Sequence, residues 1–332
     1  MRNHLPGAKI GLALAATALG ALAAVAVPAT SAGAVVPAFE SSPVGFGAGT
    51  TGGAGGATVT VTNATDLASA VAGDVPRIVR VSGTYTGTSR IKIGSNKTVI
   101  GIGSTAGLVG IELDIDGTSN VIIRNLSISK VSANDGDAIH VADSASHIWI
   151  DHNDLSSDLA HGKDFYDGLL DITHASDLVT VSWNKFHDHF KVDLVGHSDT
   201  NGAQDTGHLR VTYSHNWFEN VNSRLPSLRF GTGHSYNNFF DNVSDSAIHS
   251  RMGAQFLVQN NVFRSTKECI TTTGDSPVDG FVNQSGNDFG GCVNDITQTG
   301  SFTSPPYSFT LDPTSSVQSE VVAGAGVGKV SG

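Results

Sequence analysis

The chain has 332 residues, of which only 15% are charged, and a formal net charge of −11. This length is enough for one large domain or two modest ones. An acidic protein repels nucleic acid and anionic surfaces, so the charge argues against a nucleic-acid partner. If the substrate is an anionic polymer, a cation has to mediate the contact.

The first 34 residues have the pattern of a secretory signal peptide. A short basic start precedes an apolar run over residues 10–27, and Ala32-Gly33-Ala34 fits a small-residue cleavage site. The alternative is a membrane anchor, because the apolar run approaches the length of about 20 residues that spans a bilayer. The alanine content and the cleavage site favour the signal peptide. We therefore expect a secreted mature domain over residues 35–332 that is not held in a membrane.

The first predicted element of the mature chain is a helix over residues 65–72, with Thr65 or Asp66 as its N-cap. The glycine-rich segment before it, residues 45–56, is either a linker or the approach to a helix that caps the apolar end of a solenoid. Beyond the helix, short β-branched runs separated by turn residues predict strands. These runs cover residues 77–81, 121–128, 147–150, 178–183 and 208–213.

A repeated asparagine indicates how these strands are arranged. An Asn followed closely by an apolar or aromatic residue recurs at intervals of 22 to 32 residues, which is typical of a solenoid. The repeated residues are Asn125, Asn153, Asn184, Asn216, Asn238, Asn261 and Asn287. If every rung turns the same corner, these amides form a buried ladder beside interior Phe, Trp and Leu side chains. We predict an all-β, single-stranded, right-handed parallel β-helix of about seven to eight rungs with a short N-terminal capping helix. An antiparallel sandwich is the alternative.

Four aspartates form two groups about one rung apart. Asp135 and Asp137 are two residues apart, which on a strand places both on one face. Asp167 and Asp171 bracket a turn into the next strand. Stacked in adjacent rungs, these carboxylates repel one another unless a hard cation lies among them, and oxygen ligands suit Ca²⁺. The alternative is that they are ordinary acidic turn residues beside glycine.

Basic side chains follow the second aspartate group. Lys191 comes first, and Arg224 and Arg229 then flank Pro226. Two arginines five residues apart face opposite sides of a regular strand, but a proline interrupts the strand ladder. The resulting kink can bring both guanidinium groups into one cleft, where with the lysine they would clamp carboxylates. The alternative is a set of salt bridges to Asp188, Asp193 or Glu219.

Two further pairs of residues have candidate roles. His187 and His189 could face a zinc ion together, but no third ligand has suitable spacing, so a structural role is favoured. Cys269 and Cys292 are the two cysteines of the chain. An oxidising compartment favours a disulfide between them, and two buried free thiols are the alternative.

Long motifs cover much of the mature chain. They are WIDHNDL at 149–155, DGLLDITHASDLVTVSWNKFHDHFKVDLVGHSD at 167–199, VTYSHNWFENVNSRLPSLRFG at 211–231 and SYNNFF at 235–240. In these motifs the chain resembles the pectate lyases of polysaccharide lyase family one. The family's calcium ligands correspond to Asp135, Asp137, Asp167 and Asp171, although the family often has Glu at the third of these positions.

The same resemblance implies roles for the basic residues. Lys191 corresponds to the lysine that binds a substrate carboxylate, and Arg224 to the proposed general base. Arg229 corresponds to the second arginine of the R-x-P-x-x-R motif, and the Leu225–Pro226 bond is expected to be cis. The implied protein is a secreted, monomeric, calcium-dependent enzyme that cleaves polygalacturonate by β-elimination and leaves 4,5-unsaturated products.

The residues alone leave the identity of the base open. An arginine has an ordinary pKa of about 12.5–13.8, so its deprotonation is costly, whereas Lys191 has an ordinary value near about 10.4. Either base implies an alkaline optimum. Two other functions are alternatives: a polygalacturonase-like glycoside hydrolase, which needs a paired acid and base, and a non-catalytic β-helical carbohydrate-binding module.

Overall fold

The structure is a computed structural model that describes residues 1–3, 7 and 39–331. The chain divides into two units, Met1–Gly33 and Ala34–Gly332, and the fold below is that of the second unit. Most of the predicted leader, including the cleavage site at Ala32-Gly33-Ala34, lies outside the described residues. In the part that is described, no helix has both the length and the apolar character needed to cross a membrane.

The described residues form short strands and three helices. In chain order these elements are β1 Ala57–Val61, α1 Ala64–Val71, β2 Arg77–Val81, β3 Thr84–Thr86, β4 Arg90–Lys92, β5 Lys97–Gly101, β6 Gly107–Val109, β7 Glu112–Asp116, β8 Ser119–Arg124, β9 Ser127–Ser129, β10 Ile139–Ala142, β11 Ser146–Asp151, β12 Asp154–Ser156, β13 Leu170–Ile172, β14 Asp177–Ser182, β15 Lys185–Lys191, β16 Asp193–Val195, α2 Gly202–Asp205, β17 Arg210–Ser214, β18 Trp217–Ser223, β19 Ser227–Arg229, β20 Thr232–Tyr236, β21 Phe239–Arg251, β22 Gln255–Gln259, β23 Val262–Thr271, β24 Phe281–Ser285, β25 Val293–Asp295 and α3 Thr314–Gly324.

The strands pair in parallel with their counterparts one turn away, which makes the protein a parallel β-helix and excludes the antiparallel sandwich. One sheet has ten strands in the order β1, β2, β5, β8, β11, β14, β17, β20, β22 and β24. The other strands form two further parallel ladders, which the long strands β21 and β23 join into one sheet. The solenoid therefore has about ten turns, more than the predicted seven to eight. The first turns were missed because they lack the asparagine corner.

The predicted asparagine ladder is present from Asn153 to Asn287. Each side-chain amide donates to the side-chain carbonyl of the next, over distances of 3.0 to 3.1 Å. Asn125 was wrongly included, because its side chain donates instead to the carbonyls of Gly101 and Gly103. In the register of β8 and β11, Asp151 lies opposite Arg124, so Leu126 is the residue that corresponds to Asn153. Asn125 therefore lies one residue before the corner position. A ladder needs the amide at one fixed corner of every rung, and a shift of one residue removes it.

A column of aromatic rings fills the interior beside the ladder. Phe186, Phe218, Phe240, Phe263 and Phe289 stack in successive turns, with ring centroids 4.5 to 5.7 Å apart. The prediction of interior Phe is confirmed, and Leu155 continues the column one turn earlier. Trp does not belong to this column. The main core cluster contains no tryptophan among the described residues.

The helix predicted near the N-terminus is present as α1, but its N-cap was wrong. The cap is Asn63, whose side-chain oxygen accepts a hydrogen bond from the backbone N–H of Asp66 over 2.9 Å. An Asn in extended conformation directly before the first helical residue is an equally good cap. The buried face of α1, which includes Leu67 and Val71, packs against β1, β2 and β4 in the main core.

The glycine-rich segment 45–56 is not a linker. It runs across the outer face of the ten-stranded sheet, where its backbone N–H groups donate to side chains of Thr212, Thr180 and Thr98 on three different turns. Gly53 is required because a Cβ there would lie 2.0 Å from the carbonyl oxygen of Arg77. Glycine thus allows a second layer of backbone to lie directly on the sheet.

The C-terminal part of the chain is attached in two ways. Val317 and Val321 of α3 pack with Phe239 and Val262 in a second apolar cluster. The predicted disulfide is confirmed: Cys269 and Cys292 are bonded, with their Cα atoms 5.8 Å apart. The bond ties β23 to the segment that precedes β25.

Candidate active site

Two predicted metal ligands converge on adjacent turns. Strand β10 pairs with β13 so that His140 lies opposite Asp171, and Asp137 lies two residues before the start of β10. A Cβ placed on Gly168 would lie 2.6 Å from Oδ1 of both Asp137 and Asp171. Both aspartates are buried, and Oδ1 of Asp137 has no hydrogen-bond partner among the described residues. The two carboxylates therefore face one another with an unsatisfied oxygen between them.

The predicted local geometry of the first aspartate pair was wrong. Asp135 and Asp137 do not alternate along a strand, because both lie in the turn before β10, and Gly136 between them has φ of +86°. The turn directs Asp137 inward, whereas Oδ2 of Asp135 forms an ion pair of 2.5 Å with Nη2 of Arg90. A glycine in left-handed conformation breaks the two-residue periodicity on which the prediction rested.

Burial and mutual repulsion dominate the electrostatics of the converging pair. Burial and the charges of Asp167 and Glu112 raise the pKa of Asp137 well above its ordinary value. Burial and repulsion from Asp137 likewise raise the pKa of Asp171, and the attraction of Arg224 only partly opposes this. A bound cation relieves such repulsion, and hard divalent cations prefer oxygen ligands.

The donor set fits a hard cation, but the ligand group is incomplete. Nowhere in residues 39–331 do three or more His, Cys, Asp or Glu side chains form a group that could hold a metal ion. Oδ1 of Asp167 instead accepts a hydrogen bond of 2.7 Å from Nζ of Lys191. Asp137 and Asp171 thus stand as a preformed pair, and Asp167 and Asp135 are each held by a basic side chain.

Lys191 ends β15 at the edge of this carboxylate group. Its Nζ also donates to Oδ1 of Asp164 over 3.2 Å. Burial opposes the charge of the ammonium group, but the bonds and attraction of Asp167 and Asp164 outweigh burial and raise the pKa of Lys191. The lysine is therefore held in its charged form. The predicted alternative partners Asp188, Asp193 and Glu219 form no ion pair with it.

Arg224 and Arg229 line one polar cavity of about 290 Å³, together with Lys163, His249 and Arg251. Arg224 has φ of +63° and precedes the cis Leu225–Pro226 bond, so the chain leaves the strand direction between the two arginines. The kink expected from the proline is present. Among the described residues, the Arg224 guanidinium forms no ion pair, although its charge acts on both Asp171 and Lys191.

Arg229 is held more tightly than Arg224. Its Nε donates to Oδ1 of Asp199 over 2.5 Å, and its Nη1 donates to the carbonyl oxygen of Gly196 over 2.6 Å. Only 8% of Arg229 is exposed. The two arginines therefore differ: Arg229 is a fixed positive charge in the cavity wall, and Arg224 is an unpaired one.

The histidine pair does not form a zinc site. His187 contacts the carboxylates of Asp188 and Asp154 through its two ring nitrogens. The ring of His189 points elsewhere and contacts Oγ of Ser157 and the carbonyl oxygen of Asp167. Asp188 between them has a left-handed backbone with φ of +52°, which breaks the alternation that would place both imidazoles on one face. The structural role favoured from the sequence agrees with these contacts.

Comparison with known proteins shows the family to which the chain belongs. A family model described as "Pectate lyase" matches residues 14–330. The chain belongs to the pectate lyase family. It is 50% identical to probable pectate lyase A of Aspergillus fumigatus over 258 residues, which are 77% of this chain and 78% of that protein. It is 48% identical to pectate lyase A of Aspergillus niger over 279 residues, or 84% of each chain.

Solved structures of pectate lyases share the fold. The crystal structure of pectate lyase Bsp165PelA from Bacillus sp. N165 in complex with trigalacturonate matches with a TM-score of 0.80 and 33% identity, and it covers 86% of this chain and 99% of that chain. Pectate lyase II from Xanthomonas campestris matches with a TM-score of 0.72 and 30% identity. The protein is an enzyme of the polysaccharide lyase class, and the hydrolase and non-catalytic alternatives are set aside.

Sequence reasoning missed one basic residue of this pectate lyase. Arg251 ends β21 directly opposite Arg229, one turn further along the solenoid, and is 5% exposed. Burial and repulsion from Arg229 lower the pKa of Arg251 to about 10. The 22-residue spacing between the two arginines equals the rung interval there, so comparing rungs position by position could have found it.

A larger cavity of about 470 Å³ lies elsewhere in the lyase, and none of the predicted site residues line it. Trp183 and His215 stack there with ring centroids 4.3 Å apart. Each also bonds a carboxylate of a terminal segment, Trp183 to Glu40 and His215 to Asp312. These contacts attach the segments around Glu40 and Asp312 to the residues that precede Asn184 and Asn216 in the ladder. Because none of the predicted catalytic or metal-binding residues line the larger cavity, the candidate active site is the smaller one.

Proposed function

We propose that this pectate lyase cleaves α-1,4-linked polygalacturonate by calcium-dependent β-elimination in the extracellular medium. The observation that carries the proposal is the convergence of Asp137 and Asp171, with Lys191 one turn and Arg224 two turns beyond Asp171. The site thus joins a carboxylate pair suited to a hard cation with free positive charge suited to a uronate. The relative of known structure whose complex contains trigalacturonate supports this choice of substrate.

Asp137 and Asp171 would form the centre of the calcium site, with Asp167 and Asp135 as further ligands. The unpaired Oδ1 of Asp137 and the raised pKa values of the central pair support this assignment. When bound, the ion supplies positive charge that neutralises a substrate carboxylate and acidifies the neighbouring C5–H. Because Asp167 also accepts from Lys191, the ligand set and the basic residues share one carboxylate.

Arg224 is the proposed base. In its neutral form it takes the C5 proton and becomes the guanidinium ion, the electron pair of the C5–H bond forms the C4–C5 double bond, and the C4–O bond breaks with the leaving oxygen protonated from water. Lys191 and Arg229 stabilise the negative charge that develops on the substrate carboxylate. The contacts favour Arg224 over Lys191 as the base, because two carboxylates stabilise the charged form of Lys191 whereas Arg224 has no ion-pair partner among the described residues.

Residues 1–34 would be removed as a signal peptide, which leaves a monomeric domain over 35–332. Right-handed winding is expected because connections between parallel strands are right-handed in nearly all proteins. We expect α1 to close the N-terminal end of the solenoid, since its apolar face is buried against the first strands.

The test uses purified enzyme, polygalacturonate and ultraviolet absorbance of the 4,5-unsaturated product. Absorbance should rise at alkaline pH, cease after addition of EDTA and return when calcium is restored. A steady rate in EDTA would remove the metal from the mechanism. Release of reducing ends without ultraviolet absorbance would indicate hydrolysis instead of elimination.

A further inference from the structure

An exposed aromatic loop lies beside the proposed reaction centre. It comprises residues 157–166, between β12 and β13. Phe165 is 51% exposed, and it is the only aromatic side chain among the large exposed hydrophobic residues in the described part of the chain. Its ring stacks on that of His161, with centroids 4.1 Å apart and an interplanar angle of 19°. The stacked pair therefore presents a flat apolar ring face to solvent.

The loop is ordered by one carboxylate. Asp158 accepts hydrogen bonds from the backbone N–H groups of Ala160 and His161 and contacts Nδ1 of the His161 ring over 2.6 Å. Its other oxygen accepts from the hydroxyl of Tyr166 over 3.1 Å. The buried Tyr166 ring in turn packs edge-on against Phe165, with centroids 4.8 Å apart. The exposed ring pair is therefore preorganised before any ligand binds.

The same loop reaches the basic side of the proposed site. Asp164, next to Phe165 in the chain, accepts a hydrogen bond from Lys191. Lys163 lines the polar cavity together with Arg224 and Arg229. The aromatic pair is thus continuous with the surface on which the reacting sugar would lie.

We propose that Phe165, backed by His161, is a stacking platform for a galacturonosyl ring of the bound polysaccharide outside the reaction centre. A pyranose ring presents C–H groups on its face, which pack against an aromatic ring, and its carboxylate requires a nearby cation. Phe165 supplies the ring, and Lys163 supplies the cation. This inference rests on the proposed position of the reaction centre and adds a subsite for polymer binding to it.

The test compares Phe165→Ala with Leu159→Ala, which removes another exposed apolar side chain from the same loop, 39% exposed in the structure. Initial rates are measured on polygalacturonate and on trigalacturonate. Phe165→Ala should raise KM for polygalacturonate by about 3- to 10-fold, with kcat changed less than about twofold. The rise should be smaller on trigalacturonate, which is too short to occupy every subsite. Leu159→Ala should leave both constants near wild type, and Phe165→Tyr, which keeps the ring, should restore KM.

Three results would overturn the platform: an unchanged KM in Phe165→Ala, an equal effect of Leu159→Ala, or an equal effect on both substrates. A lower melting temperature of Phe165→Ala accompanied by a lower kcat would also overturn it, since the loop would then be structural. These results are separable from failure of the proposed mechanism. If Arg224→Ala kept full activity, the base assignment would be wrong, but the KM comparison at Phe165 would still be decisive.

Discussion

At the scale of single residues, the two candidate bases, Lys191 and Arg224, differ in their ion-pair partners. Lys191 starts with the lower ordinary pKa, but it is paired with Asp164 and Asp167, and these contacts raise its pKa. Arg224 lies in a cavity with Arg229 and Arg251 and has no ion pair among the described residues. Tertiary contacts therefore hold Lys191 in its charged form and leave Arg224 without a carboxylate partner among the described residues.

Substitution of Arg224 tests this assignment. Arg224→Ala should lower kcat by roughly 100- to 10,000-fold, the usual contribution of a general base. The thermal midpoint and the calcium-induced shift of that midpoint should stay near wild type, because the guanidinium holds no carboxylate. Product formation is followed by ultraviolet absorbance.

Arg264→Ala is the matched control for Arg224→Ala. It removes an arginine that forms a 2.6 Å ion pair with Asp288 and does not line the polar cavity. Its kcat should stay within about twofold of wild type, since exposed ion pairs contribute little. If Arg224→Ala retained the activity of this control, another group would have to be the base.

At the scale of elements, the asparagine ladder defines one corner of the solenoid. Asn216 accepts hydrogen bonds from the backbone N–H and the side-chain amide of Asn184, over 3.0 and 3.1 Å. It donates to the carbonyl of Val181 and to Oδ1 of Asn238. One side chain thus satisfies buried polar groups on three turns, and its loss leaves several of them unpaired.

Asn216→Ala should lower the free energy of unfolding by about 2–5 kcal/mol, because two or more buried polar groups lose their partners. Denaturant titration followed by far-ultraviolet circular dichroism measures the loss. Asn222→Ala is the control, since that amide bonds Ser244 at an exposed position, and its effect should stay within about 0.5 kcal/mol. Equal losses in the two variants would show that the ladder contributes no special stability.

At the scale of the whole molecule, protons and calcium compete for the buried carboxylates. The folded pKa values of Asp137 and Asp171 lie above their unfolded values, so protonation stabilises the fold at low pH and this stability is lost as pH rises. Three buried histidines act in the opposite sense, because burial lowers the pKa values of His189, His234 and His249 to about 4. Their contribution to the free energy of unfolding is lost as pH falls from about 6.5 towards 4.

These two pH effects on stability oppose one another. The calcium-induced shift in thermal midpoint is therefore a clearer measure of ion binding at Asp137 and Asp171 than the pH dependence of the free energy of unfolding. Calcium must displace protons from the raised carboxyls, so the shift should be larger at pH 8 than at pH 5. At a calcium concentration about 100-fold above Kd, we expect a rise of roughly 4–8 °C at the higher pH. Asp171→Asn should abolish most of this rise. An equal calcium shift at both pH values would place the ion away from Asp137 and Asp171.

Local periodicity made much of this architecture predictable from the sequence. The asparagine recurrence indicated the solenoid, and the spacing of Asp137 and Asp171 indicated adjacent turns, as the strand register confirms. Periodicity gave wrong predictions at two positions where a single residue changes the alignment of side chains. Asn125 lies outside the ladder, and Gly136 removes Asp135 from the face that it would share with Asp137.

The amino-acid sequence alone determined the repeat, the family resemblance and the residue types available for chemistry, because stacked turns repeat their side-chain pattern along the chain. Only the tertiary structure decided how charge is distributed among those residues. Pairing of Asp135 with Arg90, of Asp167 with Lys191 and of Arg229 with Asp199 depends on atoms from different turns meeting at hydrogen-bond distance. Among the described residues, such contacts leave Arg224 without an ion pair and Oδ1 of Asp137 without a hydrogen bond, and no local pattern contains that information.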